Sequence, residues 1–256
     1  MARVEAVAKG GPQEEELFVV RFNLRQRAEH WAVMACFIVL VVTGLPQKYF
    51  ESGWAEWIII TLGGIDMTRL LHRYSGILLT LLTLNHIGYV LYAVSFKKVR
   101  PSMIPTIKDA SDAIMMLKYC LGVSDDQPRF DRYDYRQKFE YWGLLFGVFI
   151  MIITGFILYY PNWATVLFPG QVVAAAKLAH SWEAMLALSV VVTWHLYGAH
   201  FNPDVFPFDT SIFTGKISLE RMLKEHPLEY ARMKQEEAMT SQEKREEDSP
   251  LGPAGG

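Results

Sequence analysis

The chain has 256 residues, 51% of them hydrophobic, with 25 Lys and Arg against 27 Asp and Glu. A formal charge of −2 excludes a basic nucleic-acid binder, so no nucleic acid is expected among its partners. The two cysteines, Cys36 and Cys120, form no CxxCH pattern, which excludes a disulfide framework and the usual covalent haem-attachment site.

Polar and apolar residues are segregated along the chain, and the apolar runs are long enough to cross a bilayer. A hydrocarbon core about 30 Å thick needs roughly 20 apolar residues of helix. Met1 to Leu17 is polar and lacks the apolar stretch of a cleavable signal, so none is expected. Trp31 to Leu45 is the first span, lengthened by Ala28 and His30 and stopped by Pro46. Trp54 to Ile65 is too short to cross, and Gly63-Gly64 breaks it, so it reads as an interfacial or re-entrant piece. Tyr74 to Phe96 is the second span, Phe139 to Tyr160 the third and Leu178 to Ala199 the fourth. Between the second and third, Asp109 to Leu121 carries apolar residues at helical spacing and predicts a surface helix lying on the membrane. From Lys216 the tail begins as an amphipathic helix, and Ser249 to Gly256 is expected to be disordered.

Lys and Arg in the short loops set the orientation. Arg21, Arg25 and Arg27 precede the first span, and nine Lys and Arg between Lys97 and Lys138 crowd the middle loop. The third connection holds only Lys177. Both termini and the middle loop are therefore expected on the cytoplasmic side of a bacterial-type inner membrane. The predicted class is an all-α integral membrane protein, a four-transmembrane-helix bundle with a cytoplasmic surface helix and a polar C-terminal tail. Its segments are an N-terminal cytoplasmic piece over 1–20, a membrane domain over 21–205 and a tail over 206–256. The spans lie near 28–46, 73–96, 139–160 and 178–200.

Six of the seven histidines fall within a span or at its edge: His30, His72, His86, His180, His195 and His200. Polar side chains in a bilayer are expensive and mark bundle interiors with a partner. His72 and His86 are 14 residues apart on one helix, about 21 Å along its axis, and point in roughly the same direction. His180 and His195 are 15 apart, about 22 Å, on a helix running the same way through the membrane. Two levels of facing imidazoles are what two stacked bis-histidine haems require, and bundle interiors are where such ligands are built. His72 and His180 mark the outer level, His86 and His195 the inner one.

The spacing through His72-Arg-Tyr-Ser to His86, and from His180 to His195, resembles the haem-ligand helices of b6-type cytochrome b. Other signals resemble a closer group, the membrane cytochrome b subunits of respiratory formate dehydrogenases and nickel-iron hydrogenases. They are Gln26-Arg-Ala-Glu-His30-Trp, Arg69-Leu-Leu-His72, Lys138-Phe-Glu-Tyr-Trp142, Ile153-Thr-Gly155, His195-Leu-Tyr197, Phe213-Thr-Gly-Lys and Glu225-His-Pro-Leu-Glu229. The likeness covers about residues 18 to 233. It implies b haems that relay electrons between a partner subunit (iron–sulfur, molybdenum, nickel-iron or multihaem) and the membrane quinone pool. The chain itself carries no Gly-rich nucleotide loop and no CxxC cluster.

The two resemblances share His72 with His180 and differ on the other haem. The formate dehydrogenase pattern implies His30 with His195 and a 14-residue step in the fourth helix, whereas this chain has 15. The b6 pattern implies His86 with His195. The b6 steps favour His86 and His195 here, leaving His30 and His200 for a third haem at the cytoplasmic rim, so the count is two or three. Arg69 and Arg73 are candidates for the outer propionates, and Arg25 and Arg27 for the inner ones. Glu183 inside the fourth span, with Asn85 and Tyr89 beside His86, are quinone or proton candidates. A transition-metal or proton transporter would cluster its ligands in one shell, and a structural anchor would need no register at all.

Overall fold

The computed structural model describes residues 4–8, 15–203, 205–206 and 208–247, so the stretch expected to be disordered, Ser249 to Gly256, lies outside the described residues. Among the described residues, four helices are long and apolar enough to cross a membrane: Leu24–Lys48, Ile65–Ser95, Tyr135–Tyr159 and Gln171–Phe201. They are α1, α3, α5 and, in its first part, α7 (Gln171–Val190), which runs on into π-helical turns at Val191–His195 and Tyr197–Phe201. A helix satisfies its backbone groups internally, which is why apolar chain crosses lipid in this form. Intramembrane hydroxyls are satisfied likewise: Thr68, Thr80, Thr83, Ser189 and Thr193 each donate to the carbonyl four residues earlier.

The all-α expectation holds for the membrane part, and the helices are longer than the apolar runs alone suggest. Helix α1 starts at a capping box, with Asn23 accepting from the Gln26 amide at 2.9 Å and Gln26 accepting from the Asn23 amide at 3.0 Å. It does not stop at Pro46 but continues to Lys48, because a proline this close to the end frees only one carbonyl. The short α2 (Gly53–Thr61) ends where expected, at Gly63 and Gly64 with φ of 96° and 95°. Those left-handed angles suit glycine, and they swing the chain into α3. Helix α3 starts at Ile65, well before the apolar run, since Asp66 and Arg69 make its first turns polar. Tyr159 ends α5, and Pro161 opens the short α6 (Pro161–Leu167).

The chain divides into two compact units, one built from residues 23–101 and 140–213 and the other from 1–22, 102–139 and 214–256. In the first, α1 packs along α3 and also touches α7. The second holds α4 (Ile107–Cys120), a helix over the stretch whose apolar spacing predicts one, with a Thr106–Asp109 capping box. It also holds a three-stranded antiparallel sheet that the hydropathy pattern does not show, in the order β1 (Val4–Ala8), β2 (Glu15–Val20), β3 (Lys216–Ser218). Val19 lies opposite Ile217, and both pack with Met222 and Met233 in a small apolar core. The tail therefore begins as a strand rather than a helix, because Ile217 is buried there. After Ser211–Thr214 (α8) and that strand come α9 (Leu219–Glu225), capped by Ser218, and α10 (Pro227–Glu247).

A charged cluster ties this second unit together. Glu229, 3% exposed, receives Arg21 at 3.2 Å and Arg132 at 2.7 Å. Arg232 grips Asp131 through two 2.6 Å bonds, and Lys138 reaches both oxygens of Asp109 at 2.9 Å. Burial pushes the Arg21 guanidinium down against the opposing pull of Glu229. His226 donates from Nδ1 to the Asp131 carbonyl at 2.8 Å, and burial with the nearby Arg21 charge lowers its pKa to about 4.

Candidate functional site

Two pairs of imidazoles face each other in the four-helix unit. At one level His72 on α3 and His180 on α7 have ring centroids 6.3 Å apart. Each is held from a neighbouring helix by the same device. Thr43 Oγ1 lies 2.9 Å from His72 Nδ1 and donates to the Val39 carbonyl at 2.6 Å. Thr154 Oγ1 lies 2.9 Å from His180 Nδ1 and donates to the Ile150 carbonyl at 2.6 Å. With its one proton committed to a carbonyl, each hydroxyl accepts from Nδ1–H, which fixes the tautomer and leaves the Nε2 lone pair open. The next residue is glycine both times. A Cβ on Gly44 would stand 3.0 Å from His72 Cε1, and one on Gly155 would stand 3.3 Å from His180 Cε1. Thr43-Gly44 and Thr154-Gly155 thus form matching cradles.

At the other level His195 pairs with His30 on α1, with centroids 6.1 Å apart. Glu140 accepts from His195 Nδ1 at 2.7 Å, while His30 Nδ1 is buried without a hydrogen-bond partner among the described residues. The expected meeting of His86 with His195 does not occur. Both His86 nitrogens are taken, Nδ1 by Glu29 at 3.1 Å and Nε2 by the Tyr141 hydroxyl at 2.9 Å. The His200 ring stacks on Phe208 with centroids 4.1 Å apart, and its Nδ1, like that of His30, is buried without a hydrogen-bond partner among the described residues. The 15-residue step in the fourth span coincides with the π-helical turn Val191–His195, which takes up one residue more than an α-turn and keeps His195 facing the bundle.

These contacts repeat. Glu29 and Thr43 are 14 residues apart on α1, as are Glu140 and Thr154 on α5, and each pair serves a histidine-bearing helix. Position 30 holds histidine where the corresponding position 141 holds tyrosine. Glu29, Thr43, Gly44, Glu140, Tyr141 and Thr154 escaped the sequence reading of the site. Their signal was the recurring Thr-Gly pair and a glutamate before His30 and before Tyr141.

The Arg25 guanidinium lies 3.2 Å from the Tyr89 ring centroid, Arg27 donates to the Phe213 carbonyl, and Arg73 lies 5.0 Å from the Tyr159 ring centroid. Arg69 and Asn85 are exposed. Glu183 packs against Gly147, where any Cβ would collide with its carboxylate.

The donor set fits a haem. Two imidazoles bound on opposite sides of one metal, each through a bond of about 2 Å, stand roughly 6 Å apart between centroids. Residues 21–207 match the family model described as prokaryotic cytochrome b561. The chain belongs to that family. Among curated proteins it is 26% identical over 225 residues to the cytochrome b556(Fdn) subunit of the nitrate-inducible formate dehydrogenase of Escherichia coli K12, covering 88% of this chain and 96% of that one. The cytochrome b556(fdo) subunit of formate dehydrogenase from the same organism is 24% identical, covering 83% and 92%. A formate dehydrogenase cytochrome b556 subunit of Haemophilus influenzae is also 24% identical, covering 83% and 82%. This member of the prokaryotic cytochrome b561 family is a multi-pass protein of the bacterial inner membrane that binds haem b and transfers electrons.

Proposed function

We propose that the chain relays electrons between a partner redox subunit and the membrane quinone pool through two b haems. His72 and His180 hold one, and His30 and His195 hold the other. The carrying observation is that the rings of each pair face each other with centroids 6.3 or 6.1 Å apart, where the two would hold one haem, with Nδ1 of three of the four rings engaged elsewhere. Haem iron supplies one-electron transfer when bound. The chain's residues do the rest. Thr43 and Thr154 orient two ligand rings and Glu140 a third, while Gly44 and Gly155 let α1 and α5 approach those rings. His86 is closed by Glu29 and Tyr141 and serves as a polar packing residue, and His200 packs on Phe208.

Arg69 and Arg73 flank the His72 level, and Arg25 and Arg27 the His30 level, as propionate partners. Glu183, an acid inside the fourth span, together with Asn85 and Tyr89, supports a quinone or proton role. Lys and Arg in the middle loop and before the first span favour cytoplasmic termini, which puts the His30–His195 level on the cytoplasmic side. The relatives are subunits of formate dehydrogenases, which favours a catalytic partner that passes electrons through an iron–sulfur subunit; a nickel-iron or multihaem partner would use the same relay.

A quinol added to the purified, oxidised protein tests the relay. Reduced b-haem bands are expected to appear. A haem spectrum that dithionite reduces but quinol does not would overturn the quinone assignment.

A further inference from the structure

The two imidazole pairs differ in what holds them. At His72 and His180 the partner of Nδ1 is a neutral threonine hydroxyl. At His195 it is the Glu140 carboxylate, at 2.7 Å and with only 13% of its side chain exposed. Hydrogen bonds to an ionised acceptor are shorter and roughly twice as strong as neutral ones. A carboxylate drawing on the Nδ1 proton makes the opposite ring nitrogen a more basic ligand, and a more basic ligand favours ferric over ferrous iron. His30, the facing ring, has no partner on Nδ1 among the described residues, so Glu140 acts through one ligand of the pair. Its counterpart Glu29 holds His86 in the same way, but there the Tyr141 hydroxyl closes Nε2. Of the two carboxylate–imidazole units at this end, only Glu140–His195 leaves the coordinating nitrogen open among the described residues.

We propose that Glu140 is a positioning residue that holds the reduction potential of the His30–His195 haem below the value a neutral acceptor would give. This rests on the ligand pairing proposed above.

Redox titration of the intact protein, followed by its visible spectrum, is the test. Glu140→Gln keeps an oxygen acceptor and removes the charge. The midpoint of one haem should rise by about 59 mV, a tenfold shift toward the reduced form, while the other haem stays where it was. Glu140→Asp should restore the lower value in part. Both haems retained with neither midpoint moved would overturn the proposal. If Glu140→Gln loses a haem, the wild-type ferric electron paramagnetic resonance spectrum decides instead. The signal that His30→Ala removes must then show the stronger axial field, and equal fields for both haems would overturn the proposal. A His30→Ala protein that keeps both haems would fail the pairing itself, a result separate from an unmoved midpoint.

Discussion

Gly44 and Gly155 stand where one methyl group is enough to press on an imidazole. At Gly44 the added carbon would lie 3.0 Å from the His72 ring and at Gly155 it would lie 3.3 Å from the His180 ring. Real Cβ contacts are rarely this close, so the ring must shift by a few tenths of an ångström, which strains the threonine bond that orients it. Gly44→Ala should therefore lower haem occupancy at the His72–His180 level, and Gly155→Ala should lower it less. Loss of the orienting hydroxyl in Thr43→Val or Thr154→Val should weaken haem binding at that level about 10- to 100-fold, the usual cost of removing such a partner. Haem-to-protein ratios of the purified variants check both. Full occupancy in Gly44→Ala would remove the cradle from the account.

Among the elements, the tail offers a pH test outside the membrane. His226, at the end of α9, is buried, and its pKa falls from 6.5 to about 4 by burial first and the Arg21 charge second. A group with a depressed pKa binds its proton more readily when unfolded, so stability rises with pH between the two values. The contribution, about 3 kcal/mol, is full above pH 6.5 and is lost as pH falls toward 4. Amide protection of residues 130–132 and 226–232 in the intact protein, referred to the intrinsic exchange rate at each pH, should fall as pH drops through that window, and His226→Asn should flatten the trend. The spans were legible because apolar length decides them, and α2 because two glycines end it. The β2–β3 pairing was not, because β3 lies near the far end of the chain and hydropathy carries no record of long-range pairing. The histidine levels were legible from steps of 14 and 15 residues. Their pairing was not, because it depends on which helix packs opposite, and on a π-turn that absorbs the extra residue before His195.

At the scale of the whole molecule, the four-helix unit uses one arrangement twice. Helices α1 and α5 each bring a glutamate and a Thr-Gly pair to histidines on α3 and α7. The repeat is broken at one point, where His30 on α1 corresponds to Tyr141 on α5, and that break makes one pair open and the other closed. The proposed relay therefore needs two haems and an inner site that uses His30 rather than His86. Haem stoichiometry in purified His30→Ala and His86→Ala proteins tests this most directly. Wild type should carry two haems, His30→Ala one and His86→Ala two. Three haems in wild type, or loss of a haem in His86→Ala with both kept in His30→Ala, would contradict it.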